Sequence, residues 1–269
     1  MKKLIATFAV TLLALAVTAQ IKNFETTSVY KTATRTYLAQ DSSLITDDGH
    51  DAIYSVVAVG LQWPQKFGDN DVSALQDTIL MRAFGVKGVP VDEAINDYLS
   101  QPAGREEYTL NVVADIDESR CGLRMMKRVD ISSVGFCERY IVFECGYFEY
   151  KGGDHPNYFS NYINYDVTRN KMLMYNDIFA PGTERQLAEV VLQAMLDKFY
   201  ATSLDDLYNK TEIHNEFHVS HDIYLTGNEI VFHYNPYAIA PWAYGAIDVA
   251  VPVFLLADFL TPEAADLFF

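Results

Sequence analysis

Apolar and aromatic runs separated by short polar turns fill the first hundred positions of the chain. Residues 29–38 are rich in Val, Thr and Tyr, which favours a strand, and residues 53–67 form a long apolar run typical of a buried strand. The spacing then becomes helical. It predicts a helix that Gly85 ends and a shorter helix over 91–99, and the apolar face of the first helix is formed by Val72, Leu75, Ile79 and Leu80.

The second part of the chain has a different pattern, in which strands outnumber helices. A broad apolar face predicts one good helix after Pro181-Gly182-Thr183, and a short helix is expected from Phe254. The expected strands are 108–115, 122–134, 140–150, the hairpin 158–167 with 171–178, the hairpin 214–225 with 229–234, and 247–253. Together these patterns predict an α+β fold with antiparallel sheets, a few helices packed on one face, and two subdomains.

The first residues have the pattern of a secretory signal peptide. Lys2 and Lys3 precede an apolar run over 4–17, and small residues lead to a cleavage site after Ala19. The run is short for a permanent anchor across a bilayer of about 30 Å. The sequence therefore predicts export by a cleavable signal, a periplasmic or extracellular protein, and no membrane insertion after cleavage.

The charge of the chain is strongly negative. Twenty Lys and Arg residues stand against 36 Asp and Glu residues, a formal net charge of −16. Nucleic acid and anionic lipid would be repelled, whereas a cationic partner would be attracted. The alternative is that the acidity only keeps the protein soluble.

Three cysteines, Cys121, Cys137 and Cys145, leave one thiol over in an oxidising compartment. Cys137 and Cys145 flank one apolar run, where strand geometry would hold them too far apart to bond directly. A bond from Cys121 to one of the others and three free thiols both remain open. No nearby histidine supports a catalytic cysteine.

Two separated stretches carry a family resemblance. The first is Tyr150-Lys151-Gly152-Gly153-Asp154-His155-Pro156-Asn157 with its continuation to Phe179, and the second runs from Ile230 through His233-Tyr234-Asn235-Pro236-Tyr237 and Trp242-Ala243-Tyr244-Gly245 to Pro252. In order and spacing they resemble the extracellular domain of the anti-sigma factor RsiV, a domain of unknown function also found beside cell-wall deacetylases of the PdaC type.

The resemblance covers about residues 140–259 and implies an exported α+β domain over 119–269. A small subdomain over 20–118 would precede it, after a signal peptide over 1–19. The RsiV branch of the family implies recognition of lysozyme. This chain lacks the receptor's membrane helix and sigma-binding segment, so the signalling role does not carry over. It also has no Thr-Phe-Asp-Asp stretch, so the deacetylase activity does not carry over either.

The two motifs supply the candidate ligand-binding residues. They are expected to meet at one surface, with the following residues in contact with a ligand: Asp154, His155, Asn157, Tyr237, Trp242 and Tyr244. The alternative is that Gly, Pro and aromatic residues make both motifs fold-defining turns.

A group of histidines is the weak candidate for a metal site. On a strand, His214, Glu216 and His218 would share one face, with His221 pointing away, and imidazole and carboxylate are ligands that zinc accepts. The order of residues does not match a zinc-protease helix, and a solvated strand edge is the alternative. No cofactor is expected.

No catalytic residues are predicted, because the chain has no G-x-S-x-G, G-x-G-x-x-G or phosphate-binding Gly-Lys loop. The leading hypothesis is a noncatalytic binding protein of the cell envelope that recognises lysozyme or another cationic protein. The alternatives are a protein that binds or modifies cell-wall glycan, and a structural envelope module.

Overall fold

The computed structural model describes residues 24–39, 52–104, 110–112, 117–213 and 217–269. The predicted signal peptide over 1–19 lies outside these residues. None of the helices within them is long and apolar enough to cross a membrane.

A seven-stranded sheet forms the centre of the molecule. In chain order its strands are β1 Phe24–Ala39, β2 Ala52–Phe67, β3 Leu110–Val112, β4 Leu123–Phe136, β5 Tyr140–Tyr150, β6 Asn157–Asp166 and β7 Lys171–Leu173, and in space they lie in the order β3-β1-β2-β4-β5-β6-β7. β2 and β4 pair in parallel, and every other neighbouring pair is antiparallel. β2 is buried along most of its length and pairs with a strand on each side.

Two helices lie between β2 and β4 in the sequence, α1 Ser73–Phe84 and α2 Val91–Ser100. A parallel strand pair needs a long crossover connection, and these helices supply it. As expected, α1 ends at Gly85, whose φ of 72° is a left-handed conformation that glycine adopts without strain. Both helices pack their apolar residues on one face of the sheet.

The C-terminal part adds a second, three-stranded sheet and further helices. They are α3 Tyr175–Ile178, α4 Glu184–Lys198, α5 Leu204–Thr211, β8 Ile223–Leu225, β9 Glu229–Tyr234, β10 Ile247–Pro252, α6 Val253–Leu256 and α7 Pro262–Phe268. The strand order is β10-β9-β8, all antiparallel. Short 3-10 turns occupy Glu118–Arg120, Trp242–Tyr244 and Ala257–Phe259.

The two faces of β5 belong to two different cores. Ile141 and Phe143 point towards α1 and α2, whereas Tyr140 and Val142 point towards the small sheet and α4. This alternation is the period of two that a strand buried on both sides must have. The central sheet is therefore shared by both cores.

The predicted α+β class is confirmed, with one difference in arrangement. The parallel pairing of β2 and β4 departs from the expected antiparallel pairing, because the connection between them is long enough for a crossover. The seven-stranded sheet contains strands from both sides of residue 118, and the division into two subdomains there stays a prediction.

Two predicted strands are wrong in part. The strand over 171–178 stops at Leu173, since the Asp177 carboxylate accepts the Met174 backbone N–H at 2.8 Å and α3 begins there. The strand over 214–225 is confined to 223–225 among the described residues. Side-chain hydrogen bonds hold the segment before it, as when Ser220 Oγ donates to the His233 carbonyl at 2.5 Å.

Besides α3, two further helices were not predicted, although their start signals stand in the sequence. Ser203 caps α5 by accepting the backbone N–H of Asp206, and Thr261 caps α7 directly before Pro262. A capping side chain followed by acidic residues or proline is a typical helix start. Both helices are short, so their apolar periodicity is weak.

All three cysteines are free thiols. Cys145 is buried in the core beside α1 and α2, and this burial raises its pKa to about 12. A thiol with such a pKa is almost wholly protonated at neutral pH and therefore a poor nucleophile.

Candidate binding surface at the aromatic loop

The turn between β5 and β6 depends on two glycines. Gly152 and Gly153 have φ values of 81° and 115°, which other residues rarely adopt. A Cβ on Gly152 would also come within 3.2 Å of the Leu123 side chain. Because the Tyr150 hydroxyl donates to the Gly153 carbonyl at 3.0 Å, the turn is fixed on the end of the sheet.

Residues 235–245, within the connection between β9 and β10, are here called the aromatic loop. Asn235, the first residue of this loop, is bound to β6 through its side-chain amide. The side-chain Oδ1 accepts the Ser160 backbone N–H at 2.7 Å, and Nδ2 donates to the Ser160 carbonyl at 2.8 Å. The amide thus takes the place of a strand partner along the exposed backbone of β6.

The turn and the aromatic loop meet through His155. Its ring stacks on Trp242 with centroids 4.2 Å apart and an angle of 20° between the planes. Its Nε2 lies 3.2 Å from the Tyr237 hydroxyl. The two motifs, about eighty residues apart in the sequence, are therefore adjacent in the structure. Their role in ligand binding stays a prediction.

Tyr158 is a further member of this surface that the sequence analysis missed. Its ring meets Trp242 edge-on, with centroids 6.1 Å apart. Gly245 passes so close that a Cβ there would lie 3.1 Å from the Tyr158 hydroxyl, at a φ of 70° that already favours glycine. Tyr158 stands in the first motif's strand, and only the packing of the loop against β6 places it on this surface.

Much of this surface is open to solvent. Tyr237 is 62% exposed, Tyr244 43% and Tyr158 36%. Asp154 and Asn157 are exposed on either side of His155. The Trp242 Nε1 atom is buried and has no hydrogen-bond partner among the described residues. The surface combines fixed aromatic rings with a carboxylate at its edge.

Of the four weak candidates for metal ligands, only His218 and His221 lie within the described residues. His214 and Glu216 lie outside those residues. His221 stacks on Tyr175 at 4.0 Å, and the His218 ring lies edge-on to Tyr234 at 6.0 Å. Within the described ranges, no group of three or more His, Cys, Asp or Glu residues is arranged to hold a metal ion.

Behind the aromatic loop lies a polar cluster that sequence reasoning did not find. His233 is 3% exposed, and its Nδ1 lies 2.6 Å from Asp248 Oδ1. Its Nε2 lies 3.2 Å from Asn235 Oδ1. The Tyr224 hydroxyl donates to the other Asp248 oxygen at 3.3 Å. The loop anchor Asn235 is therefore itself held by a buried histidine.

Aromatic rings and a second carboxylate enclose this cluster. Tyr162 stacks on Tyr224 at 4.3 Å and meets the His233 ring edge-on at 5.1 Å. Asp222 Oδ2 is buried without a hydrogen-bond partner among the described residues, and burial raises the pKa of this carboxyl. Burial by itself would lower the pKa of His233, but the hydrogen bond and charge of Asp248 outweigh it, and the pKa is raised.

The cross-strand register explains why the cluster was missed. His233 and Asp248 are directly paired residues of β9 and β10, and both belong to the second motif region. Their separation in sequence gives no sign of the contact until the two strands are paired in register. The histidine alone, next to buried Phe232, reads as a residue of an apolar strand.

A cavity of about 270 Å³ lies elsewhere, between α1 and α2. Its walls include Phe84 and Tyr98, with Glu93 and Asp97 among the lining residues. None of the residues that the sequence predicted for a site lines this cavity. Both motifs converge instead at the aromatic loop.

Comparison with known proteins finds a matching family model and similar solved structures. Residues 176–253 match the model of a family described as protein of unknown function (DUF3298). This match contains the second motif and only the last part of the first. No curated protein sequence is significantly similar to this chain.

The solved structures extend the likeness over nearly the whole chain. A crystal structure of a DUF3298 family member from Bacteroides fragilis NCTC 9343 has a TM-score of 0.69 and 18% identity, covering 91% of this chain and 96% of that one. A DUF3298 family protein from Pseudomonas aeruginosa PAO1 has a TM-score of 0.61 and 15% identity, covering 92% and 98%. The chain thus has the fold of these DUF3298 proteins, and its C-terminal region carries a DUF3298 sequence match.

Proposed function

We propose that this chain is an exported, noncatalytic binding protein of the cell envelope that recognises lysozyme or another cationic protein through the aromatic loop. The observation that carries the proposal is the His155–Trp242 stack, which joins two separate motifs into one partly exposed aromatic surface. Tyrosine and tryptophan are enriched at the energetic centres of protein interfaces, because they bury large areas at low conformational cost.

The net charge of the chain and its resemblance to the RsiV domain support the same proposal. The net charge of −16 would speed association with a cationic protein, and the exposed Asp154 puts a carboxylate beside the aromatic rings. The two motifs resemble the lysozyme-binding domain of RsiV, and the N-terminal pattern of residues 1–19 favours export. The DUF3298 match is consistent with such a domain and names no ligand.

Calorimetry with lysozyme, at low and at physiological salt, tests the proposal. We expect binding at both, with some loss of affinity as salt screens the charges. Tyr237→Ala and Trp242→Ala should each weaken binding at least about tenfold, which corresponds to about 1.4 kcal/mol.

Tyr200→Ala is the matched control. Tyr200, like Tyr237, is a strongly exposed tyrosine with a positive φ, here 53° against 68°, and it lies outside the surface. Its substitution should leave the affinity unchanged. Absence of binding at low salt would exclude lysozyme, and binding confined to low salt would mean charge attraction without a specific site.

Cell-wall glycan is the second candidate ligand, because tryptophan and tyrosine rings also stack on sugars. A pull-down with peptidoglycan fragments, using the same three variants, distinguishes the two. Retention that depends on Trp242 but not on Tyr200, together with no lysozyme binding, would replace the protein ligand with a glycan.

A further inference from the structure

The orientation of the Asn235 side chain is fixed by the backbone of Ser160. A backbone N–H can only donate and a carbonyl can only accept, so the atom facing the Ser160 N–H must be Oδ1 and the atom facing the carbonyl must be Nδ2. The flip that often leaves an asparagine ambiguous is excluded here, because it would break both hydrogen bonds.

This orientation determines the state of one nitrogen of His233. Its Nε2 lies 3.2 Å from Asn235 Oδ1, which is an acceptor. Two acceptors at that distance repel each other, so Nε2 must carry a proton and donate it to Asn235.

The other nitrogen faces a carboxylate. His233 Nδ1 lies 2.6 Å from Asp248 Oδ1, and the Asp248 side chain is 43% exposed. A carboxylate only accepts hydrogen bonds, and 2.6 Å is the length of a short, charge-assisted one, so Nδ1 donates to it. With both nitrogens donating, the ring is an imidazolium.

The groups around His233 favour a positive charge. Asp248 faces it from β10, Asp222 acts on it from the segment before β8, and Tyr162 meets it edge-on from β6. Glu144 of β5 belongs to the same surroundings, since its charge helps to raise the pKa of Tyr162. Ser160, whose backbone holds Asn235, donates its hydroxyl to Glu144 at 2.6 Å.

We propose that His233 is a positioning residue that is doubly protonated at neutral pH and that holds Asn235, and with it the base of the aromatic loop, in place. Loss of one proton removes either the bond to Asp248 or the bond to Asn235. The loop is therefore held most firmly at and below neutral pH and loosens in alkaline solution. An effect of this loosening on ligand binding rests on the proposed function, whereas the protonation of the ring and the position of the loop do not.

Nuclear magnetic resonance of the ring nitrogens tests the charge directly. In an imidazolium both nitrogens have similar chemical shifts, whereas a neutral ring gives two widely separated ones. The His233 signals are assigned by their loss in His233→Gln. We expect the imidazolium pattern at pH 7 and a titration above the ordinary histidine value of about 6.5. A neutral pattern at pH 7 would overturn the proposal.

The positioning role is tested by the Ser160 amide and the Trp242 indole N–H in the same titration. Both signals should shift with the midpoint of His233, because Ser160 donates to Asn235 and Trp242 belongs to the loop. If His233 titrates and neither signal follows, the charge exists without positioning the loop, and the proposal is wrong.

Asp248→Asn separates charge from hydrogen bonding. The new amide can donate to Nδ1 of a neutral ring whose Nε2–H still binds Asn235. We expect the loop signals to keep their neutral-pH positions and to lose their dependence on pH. A loop that still titrates in this variant would contradict the assignment. No ligand enters these measurements, so failure of lysozyme binding leaves their outcome independent.

Discussion

Phe232 and His233 are neighbours on β9 and point to opposite faces of the same three-stranded sheet. Phe232 is fully buried in the apolar core and stacks on Phe179 with centroids 5.8 Å apart. His233 is almost as deeply buried, but on the face that carries Asp248 and Tyr224 and meets Tyr162 of the central sheet.

The two faces of the three-stranded sheet differ in what makes the burial of their side chains favourable. The apolar face gains from removal of hydrocarbon from water and from close packing, which depend little on pH. The polar face gains only if every buried donor and acceptor finds a partner, so its stability depends on protonation. The aromatic loop follows β9, which contributes residues to both faces. Its anchor, Asn235, is held by His233 on the polar face.

The largest expected effect comes from the apolar face. Phe232→Ala should lower the free energy of unfolding by about 3–5 kcal/mol, since it removes a fully buried ring and leaves a cavity. Urea unfolding at pH 6 and pH 9 should give nearly the same loss. A loss that changes strongly with pH would mean that the two faces are not independent.

A smaller, pH-dependent effect is expected from the polar face. His233→Leu should cost about 1–3 kcal/mol at pH 6, because Asp248 and Asn235 each lose a buried hydrogen bond. The raised pKa of His233 means that its contribution is complete below the unfolded value of about 6.5 and is lost as pH rises through the folded value.

The difference in unfolding free energy between wild type and His233→Leu should therefore narrow from pH 6 to pH 9. Urea unfolding at a series of pH values measures it. A difference that stays constant or widens would show that the protonation of His233 contributes no stability.

The smallest effect sharpens the comparison within the polar face. Tyr224→Phe removes only the 3.3 Å hydrogen bond to Asp248 and leaves the ring stacked on Tyr162. We expect a loss of about 0.5–1 kcal/mol in thermal unfolding, because a neutral donor contributes that much on average. A loss as large as that of His233→Leu would mean that the tyrosine, rather than the histidine, organises the cluster.

The sequence was sufficient for elements whose local signals agree with their environment. The helical spacing before Gly85 and the strand pattern over 140–150 each predict an element close to its observed bounds. The sequence prediction failed where side-chain groups form hydrogen bonds that a strand partner would otherwise form with the backbone. Asp177 turns a predicted strand into α3, and Ser220 takes hydrogen bonds that a strand partner would otherwise supply.

The candidate surface divides in the same way. His155, Tyr237 and Trp242 stand out because histidine and aromatic rings among Gly and Pro mark an ordered loop, and the structure brings them together. Tyr158 and Asp248 have no such local signal. Their importance follows from β6 passing under the loop and from the pairing of β10 with β9.

By itself, the sequence determined the α+β class, the strong acidity and the two motifs, because composition and periodicity follow directly from the order of residues. Only the tertiary structure decided that β2 and β4 are parallel, that the motifs share one surface, and that His233 lies between Asp248 and Asn235. The physical reason is that strand pairing and the direction of hydrogen bonds are relations between distant residues, which no local pattern contains.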